Sequence, residues 1–175
     1  MPEYSFDWVD AFTEVPFGGN ACAVVHDAAD LSVEDRLALV RETSLSECAY
    51  LVGSDVADFG ARYYLATREI LMAGHPTIAT VTSLLDRGMV DLTDGKAEFT
   101  LEVGAGVLPI SVETRAGRAP LITMTQRAPD YLAEQDPAEI AGIYGLAASD
   151  IVGTPFVWSN DVILRYLYCL ASGYE

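Results

Sequence analysis

Residues 72–77, with the sequence MAGHPT, constrain the fold most, because they join an extended apolar run to the helix-like run 78–85. Gly74 can adopt backbone conformations closed to other residues, and Pro76 suits the first position of a helix. The pattern predicts a strand, a tight turn and a helix in direct succession. Since the first N–H groups of a helix lack intrahelical partners and carry a local positive potential, the turn is suited to binding a carboxylate.

His75 adds a chemically versatile group to this turn. Its imidazole can donate a hydrogen bond, accept one or carry a charge near neutral pH, so it is a candidate for a functional role. A histidine at the start of a helix can also act as a structural cap without taking part in chemistry. The spacing alone leaves both interpretations open.

The charge of the chain limits its partners. Ten Lys and Arg residues against 26 Asp and Glu residues give a formal net charge of −16. A nucleic-acid backbone or an anionic membrane surface would be repelled by such a chain, so neither is an expected partner. A small anionic carboxylate remains possible as a substrate if helix N–H groups, His75 and either Arg62 or Arg68 reverse the field locally.

The cysteine pattern predicts a reducing environment. Cys22, Cys48 and Cys169 form no CxxC pair and their number is odd, so a disulfide framework is not expected and the cytoplasm is the predicted location. The N-terminus has no basic segment followed by an apolar one, and no 18 apolar residues are consecutive. We therefore expect a protein that is neither exported nor inserted in a membrane.

The sequence offers no motif for a metal or a phosphate cofactor. His26 and His75 are far apart and have no cysteine pair at ligand spacing, so no metal site is expected. The Gly104-Ala105-Gly106 segment lacks the third glycine and the following helix of a dinucleotide-binding motif. The prediction is chemistry without a cofactor.

The patterning predicts an α+β architecture with two similar halves. Residues 1–113 are predicted to form a complete first domain and residues 121–175 a partial second domain. Residues 113–120 are predicted to be the linker between them. Strands are predicted over 4–12, 21–25, 48–52, 61–72, 97–112, 121–126 and 155–158, and Gly104 and Gly106 divide the segment 97–112 into two strands. Helices are predicted over 32–41, 77–85 and 136–144. The apolar run 162–171 is compatible with either a strand or a helix.

Glu47 is the second candidate for chemistry. It precedes the almost wholly apolar stretch 48–52, so its carboxyl group is expected in a partly dry setting if it points inward. Desolvation raises the pKa of a carboxyl group, and a group poised near the working pH can both deliver and remove a proton. A solvated carboxylate at the edge of a strand is the alternative. Asn20 presents a similar choice, because it follows Gly18-Gly19 and can orient a ligand or complete a turn.

Three blocks of sequence resemble a known pattern. DAFT at 10–13 with PFGGN at 16–20, LSE at 45–47 and AGHPT at 73–77 resemble, in order and spacing, the PhzF-like family of isomerases and epimerase-like proteins of phenazine biosynthesis. The resemblance covers residues 4 to about 110. It implies the diaminopimelate-epimerase-like fold, in which two similar α+β domains each wrap a sheet around a central helix and enclose an active site between them.

The resemblance also implies roles for particular residues. Glu47 takes the place of the acid–base that moves a proton on a dihydro-hydroxyanthranilate-like substrate without a cofactor. Related racemases use two cysteines, one of them at the position that Ala73 occupies here, so a two-thiol mechanism is not expected. The remaining expected site residues are Gly74, His75 and Thr77, which hold the substrate carboxylate, and Asn20 and Ser46, which lie near it.

The sequence departs from the family pattern towards its end. Residues 158–175 match no family block, and the acidic block of the distal half is missing. An isomerase site is then complete only if a second copy or a complementing chain adds the other side, which predicts a homodimer or a complementing partner. A catalytically inactive relative that binds a small molecule or a protein is the alternative, and a different proton-transfer reaction is a third possibility.

Overall fold

The computed structural model describes residues 3–128, 130–159 and 166–171, and the chain divides into two compact units, Met1–Gln126 and Arg127–Glu175. The described residues of the first unit form two α-helices and the strands of one sheet. In chain order its elements are β1 (Phe6–Ala11), β2 (Asn20–Val25), α1 (Val33–Thr43), β3 (Cys48–Val52), β4 (Phe59–Tyr64), β5 (Glu69–Ile70), α2 (Gly74–Asp86), β6 (Lys96–Val103), β7 (Gly106–Arg115) and β8 (Arg118–Met124).

The strands of the first unit form a mixed sheet in the order β1-β2-β3-β4-β6-β7-β8, with β5 added to β4. The pairs β2–β3 and β4–β6 are parallel and the others are antiparallel. Helix α2 contacts β1, β2, β3 and β8, so the sheet curls into a half-barrel around it. Helix α1 packs against β3 and β4. The prediction of an α+β fold with a sheet wrapped around a central helix is confirmed.

The composition of α2 explains its central position. Ala79, Val81 and Leu84 are fully buried, and small or hydroxyl side chains fill the positions between them. A helix that is apolar on all sides has no face suited to water and is stable only when it is enclosed. The curled sheet provides that enclosure.

Helix α1 covers the outer face of the sheet. Its predicted N-cap, Ser32, accepts a hydrogen bond from the Asp35 backbone N–H at 3.1 Å, as the capping pattern predicts. Beneath the helix, Val40, Tyr50 and Tyr64 belong to one buried cluster. The Arg36 guanidinium lies 5.6 Å from the Tyr50 ring centroid and 5.5 Å from that of Tyr64. This cluster holds β3 and β4 together on the side opposite α2.

Three of the predicted boundaries in the first unit differ from the structure. The predicted strand 61–72 is the hairpin β4–β5, since the Leu65 N–H turns back to the Arg68 carbonyl at 2.9 Å. The predicted helix 77–85 begins three residues earlier, at Gly74. The predicted linker 113–120 is the β7–β8 hairpin, and because β8 pairs with β7 the first unit extends to Gln126. Long-range strand pairing decided the two hairpins, and it is not visible in local composition.

The second unit contains β9 (Asp130–Glu134), α3 (Pro137–Tyr144), β10 (Ile151–Ser159) and β11 (Tyr166–Ala171), in the sheet order β11-β10-β9. The sequence predicts helix α3 from an Asp136 cap and a terminating Gly145. In the structure the Asp136 side chain accepts from the Ala138 N–H at 2.8 Å, and Gly145 has φ 69°. Strand β9 was not predicted. The apolar run 162–171 contains β11, while residues 160–165 and 172–175 lie outside the described residues. Over the part of the chain described here, no helix is long and apolar enough to cross a membrane.

Asp7 connects β1 to the last turns of α2. Its Oδ2 atom accepts from Ser83 Oγ at 2.6 Å and from Arg87 Nε at 2.7 Å, and it lies 3.0 Å from His26 Nε2. Hydrogen bonds from Arg87 hold the pKa of Asp7 well below its usual range, with further contributions from Ser83 and His26, and they outweigh the opposing effect of burial. The ionised carboxylate therefore stabilises the folded chain.

Replacing Asp7 with Asn is expected to lower the free energy of unfolding by about 1.5–3 kcal/mol at pH 7, because hydrogen bonds to a charged acceptor are lost. The folded-state pKa is depressed, so this contribution is complete above the ordinary pKa of Asp, near 3.9, and is lost as the pH falls further. Urea unfolding at pH values from 7 to 3 measures the difference. Asp91→Asn, at an exposed position, is the control. A difference independent of pH down to pH 3 would contradict the assignment.

Candidate active site

Glu47 and His75 are in contact in the first unit. Cys48 and Tyr50 of β3 point into the cluster under α1, so the alternating residues Glu47 and Ala49 face the side of α2. His75 is the second residue of α2, and its Nδ1 atom lies 3.3 Å from Glu47 Oε2. The two residues singled out from the sequence, 28 positions apart, therefore form one carboxyl–imidazole pair.

The start of α2 lies beside this pair. Ala73 is the N-cap in an extended conformation, with φ −149° and ψ 145°, and Gly74 is the first helical residue. The N–H groups of Gly74 and His75 belong to the first turn, where the helix offers no carbonyl partner. Pro76 is the third helical residue instead of the first, and its missing N–H costs no helical hydrogen bond there.

Gly74 is not required by the backbone conformation, in contrast to the expectation from sequence. Its φ does not lie in the left-handed region, and a Cβ added at this position would meet no atom within 4 Å. Gly74 is exposed, so the backbone at the start of α2 is accessible to solvent. A ligand could approach the backbone closely at this point.

Burial favours the neutral forms of both residues in the pair. The Glu47 side chain is 19% exposed, and desolvation raises the pKa of its carboxyl group. The His75 side chain is 10% exposed, and desolvation lowers the pKa of its imidazole. Glu47 thus keeps a proton to higher pH than an ordinary glutamate, while the neutral imidazole can donate from one nitrogen and accept at the other. Such a pair suits acid–base chemistry near neutral pH.

One nitrogen of His75 has no partner within the described residues. The Nε2 atom is buried and makes no hydrogen bond there, while Nδ1 faces Glu47. A buried polar atom without a partner costs free energy of about 1–3 kcal/mol. Structures retain such atoms where a ligand or water can satisfy them.

Thr77 supports the turn from inside. It is fully buried, its hydroxyl donates to the Ala73 carbonyl at 2.7 Å, and its Oγ1 lies 2.9 Å from the hydroxyl oxygen of Tyr63. Both contacts are internal to the first unit. The Thr77 side chain therefore holds the backbone of the turn and is not exposed to solvent.

Asn20 and Ser46 are exposed and lie at the same end of the sheet as Glu47. Strands β2 and β3 are parallel with Ala23 opposite Cys48, so Ser46 lies level with the start of β2, where Asn20 is the first residue. Both side chains are available to solvent near the carboxyl–imidazole pair.

Arg62 is not available to offset the negative charge of the chain. Its guanidinium donates to Glu102 Oε1 at 2.7 Å and lies 3.9 Å from Glu69 Oε1. These two carboxylates already balance its charge. Arg68, the other candidate, is exposed. The N-terminus of α2 supplies positive potential at His75 independently of either arginine, as the turn pattern predicts.

Asp7, His26 and Ser83 contain the side chains of a hydrolase triad but not its geometry. The same His26 nitrogen, Nε2, lies 2.8 Å from Ser83 Oγ and 3.0 Å from Asp7 Oδ2, whereas a triad histidine uses both ring nitrogens. Ser83 is fully buried and donates its proton to Asp7. The cluster fixes α2 and cannot present a nucleophile.

Two surface depressions of about 510 Å³ lie beside β6 and share Asp58, Glu98 and Phe99 in their lining. Asp58 accepts from the backbone N–H and the hydroxyl of Thr100, both at 2.7 Å, and these bonds lower the pKa of its carboxyl group. Asp58 therefore stays ionised at neutral pH and is a poor proton donor. The carboxyl–imidazole pair remains the best candidate for chemistry.

Comparison with known proteins decides the family. The model of the phenazine biosynthesis-like proteins, PhzC-PhzF, matches residues 9–157, a region that includes Glu47, His75 and the whole of α2. The chain belongs to the PhzF family. The resemblance proposed from three short blocks of sequence is thereby confirmed.

The PhzF relatives include isomerases. An uncharacterised isomerase of Bacillus subtilis is 27% identical over 166 residues, which are 90% of this chain and 55% of the relative. The trans-2,3-dihydro-3-hydroxyanthranilate isomerase of Pseudomonas aeruginosa is 30% identical over 142 residues, 81% of this chain and 49% of that enzyme. The chain thus spans about half the length of these relatives.

Solved structures confirm the fold. The PhzF family protein of Bacillus anthracis superimposes with a TM-score of 0.80 at 27% identity, covering 95% of this chain and 55% of that protein. The neighbours comprise PhzF and epimerase-like folds, so the predicted diaminopimelate-epimerase-like α+β class is confirmed. Sequence reasoning did not identify Tyr63, whose hydroxyl contacts the α2 turn; the available indication was the Tyr63-Tyr64 pair at the end of β4.

Proposed function

We propose that this PhzF-family chain is a cofactor-independent isomerase that moves a proton on a small cyclic or aromatic-like carboxylate, with Glu47 as the acid–base. The observation that supports this is the 3.3 Å contact between Glu47 Oε2 and His75 Nδ1 at the start of a buried helix. Burial raises the pKa of Glu47 and lowers that of His75, which suits proton transfer near neutral pH.

The proposed reaction needs one carboxyl group acting twice. Ionised Glu47 accepts a proton as a substrate C–H bond breaks, and the electron pair moves into the neighbouring double-bond system. The protonated Glu47 then returns the proton to a different carbon, so a C–H bond forms and the carboxylate is regenerated. His75 lies beside the carboxyl group, and its imidazole can donate to the form of Glu47 that carries the charge.

The start of α2 is proposed to bind the substrate carboxylate. The N–H groups of Gly74 and His75 lack helical partners and carry the positive end of the helix dipole, which favours an anion in a chain with a net charge of −16. Asn20 and Ser46 are exposed at the same end of the sheet and are proposed to contact the substrate. Thr77 contributes by holding the turn.

A second copy or a complementing chain is proposed to complete the site. The chain spans about half the length of its isomerase relatives, and Gly74, Asn20 and Ser46 are exposed. A homodimer would supply another polar surface by symmetry. A reducing cytoplasm is the proposed location, since it suits the unpaired, buried thiols of Cys22 and Cys48.

Incubation with trans-2,3-dihydro-3-hydroxyanthranilate in D₂O tests this function, because an isomerised product reports the proton transfer, and deuterium enters the substrate or product when protonated Glu47 exchanges with solvent before it returns the proton. Proton NMR should show loss of a substrate C–H resonance or growth of an isomerised product, in proportion to protein. Sedimentation in the same buffer gives the oligomeric state. Binding with neither exchange nor isomerised product at equimolar protein would contradict the enzyme and favour an inactive binding module instead.

A further inference from the structure

Tyr63 is buried at the interface of the sheet and the α2 turn. It belongs to β4, is 1% exposed, and its hydroxyl oxygen lies 2.9 Å from Thr77 Oγ1. The single hydroxyl proton of Thr77 is donated to the Ala73 carbonyl at 2.7 Å. Tyr63 must therefore donate to Thr77, which gives a chain of two hydrogen bonds ending at the N-cap of α2.

The same tyrosine is adjacent to the strand that follows Glu47. In the antiparallel pair β3–β4, Tyr63 lies directly opposite Ala49, two residues after Glu47. Side chains directly opposite each other point to the same face of a sheet, so Tyr63 and Glu47 share the face towards α2. Tyr63 thus connects the sheet that positions Glu47 to the turn that positions His75.

We propose that Tyr63 is a positioning residue that sets the distance between Glu47 and His75 by fixing the Ala73–Thr77 turn. The expected effect of that distance on the reaction rate rests on the proposed isomerase function. The structural part, that removing the Tyr63 hydroxyl displaces the His75 ring, does not depend on any substrate.

Apolar packing alone would not fix the turn. Ala79, Val81 and Leu84 bury α2 by contacts that are not directional, so they do not by themselves specify the conformation of its exposed first turn. Hydrogen bonds impose both direction and distance. Ser83 supplies such a bond to Asp7 near the end of α2, and Tyr63 supplies one to Thr77 at its start.

The donor role of Tyr63 persists over the working pH range. Burial raises the pKa of the Tyr63 phenol above its ordinary value. The phenol therefore keeps its proton wherever the protein is folded near neutral pH.

Tyr63→Phe removes one oxygen atom and keeps the ring. The chain has two histidines, so NMR of the imidazole C–H groups follows His75 directly and uses His26, held by Asp7 and Ser83, as an internal reference. We expect the His75 resonances to move and its titration midpoint to rise towards the ordinary value as water enters, with His26 unchanged. In the exchange assay kcat should fall about 10- to 100-fold with KM little affected, since a small misplacement affects the reaction more than binding.

Tyr50→Phe is the matched control. Tyr50 is also fully buried in the first unit, but its hydroxyl donates to the Arg36 carbonyl at 2.6 Å on the side of α1. Each variant loses one buried hydrogen bond, so both should lower the free energy of unfolding by about 1 kcal/mol. Only Tyr63→Phe should change the His75 spectrum. If Tyr63→Phe does not fold, Thr77→Val removes the same link and keeps a branched side chain.

An unchanged His75 spectrum in folded Tyr63→Phe, or an equal change in Tyr50→Phe, would overturn the proposal. Failure of the proposed function is recognised separately, because it shows as absence of exchange by the unmodified protein. A His75 shift in Tyr63→Phe supports the positioning role even then.

Discussion

Glu47→Gln is expected to lower the rate of solvent proton exchange by about 10²- to 10⁴-fold, the range typical of a lost general acid–base. The amide has nearly the shape of the carboxyl group but cannot take up and release a proton near neutral pH. Because the first turn of α2 is unchanged, affinity for the carboxylate ligand should be retained. Deuterium incorporation followed by NMR measures the rate, and calorimetric titration of the same ligand measures the affinity.

The control for this substitution is Glu42→Gln on the exposed surface of α1, which should exchange protons at the unmodified rate. Thermal unfolding should show that Glu47→Gln is at least as stable as the unmodified protein, since it removes a carboxyl group whose ionisation is disfavoured by burial. Exchange within two-fold of the unmodified rate would assign the chemistry to another group.

Arg36→Ala is expected to cause the largest loss of stability, about 2–4 kcal/mol in the free energy of unfolding. Arg36 is 7% exposed, donates to the Ala28 carbonyl at 2.7 Å, and lies over the rings of Tyr50 and Tyr64. Truncation leaves a cavity, removes two cation–π contacts and leaves a buried carbonyl without its partner. Urea unfolding followed by fluorescence measures the change, and the slope of the free energy of unfolding against urea concentration should stay the same.

Arg41→Ala tests whether burial is the cause. Arg41 lies on the same helix and also donates to a carbonyl, that of Ala66 at 3.0 Å, but it is exposed. Its loss should change the free energy of unfolding by no more than about 0.5 kcal/mol. Equal effects of the two alanine substitutions would show that the cluster under α1 does not depend on the buried guanidinium.

The candidate site could be predicted in part. Composition around Glu47 indicated a partly dry carboxyl group, and the Gly74-His75-Pro76 turn indicated a helix start, because both depend on neighbours within a few residues. The inward direction of Glu47 followed only from the packing of Cys48 and Tyr50 under α1. The alternation of a strand gives two faces but does not say which one a helix will cover.

Other features depended on pairing between distant residues. Arg62 had been a candidate to bind an anion, but Glu102 occupies its guanidinium from 40 positions away. The segment 113–120 had the composition of a linker, yet β8 returns to pair with β7 and keeps it within the first unit. Such contacts stabilise the chain only after a long loop has closed, so local composition carries little information about them.

The sequence alone therefore determined the family, the α+β class, the helix start at the MAGHPT turn and the two residues that meet there. The tertiary structure decided that Glu47 faces His75, that the Thr77 hydroxyl is held by Tyr63, and that Arg36 is enclosed by two tyrosine rings. The physical reason is that propensity and hydrophobic periodicity act over a few residues, whereas burial and hydrogen bonding depend on which distant side chains the curled sheet brings together.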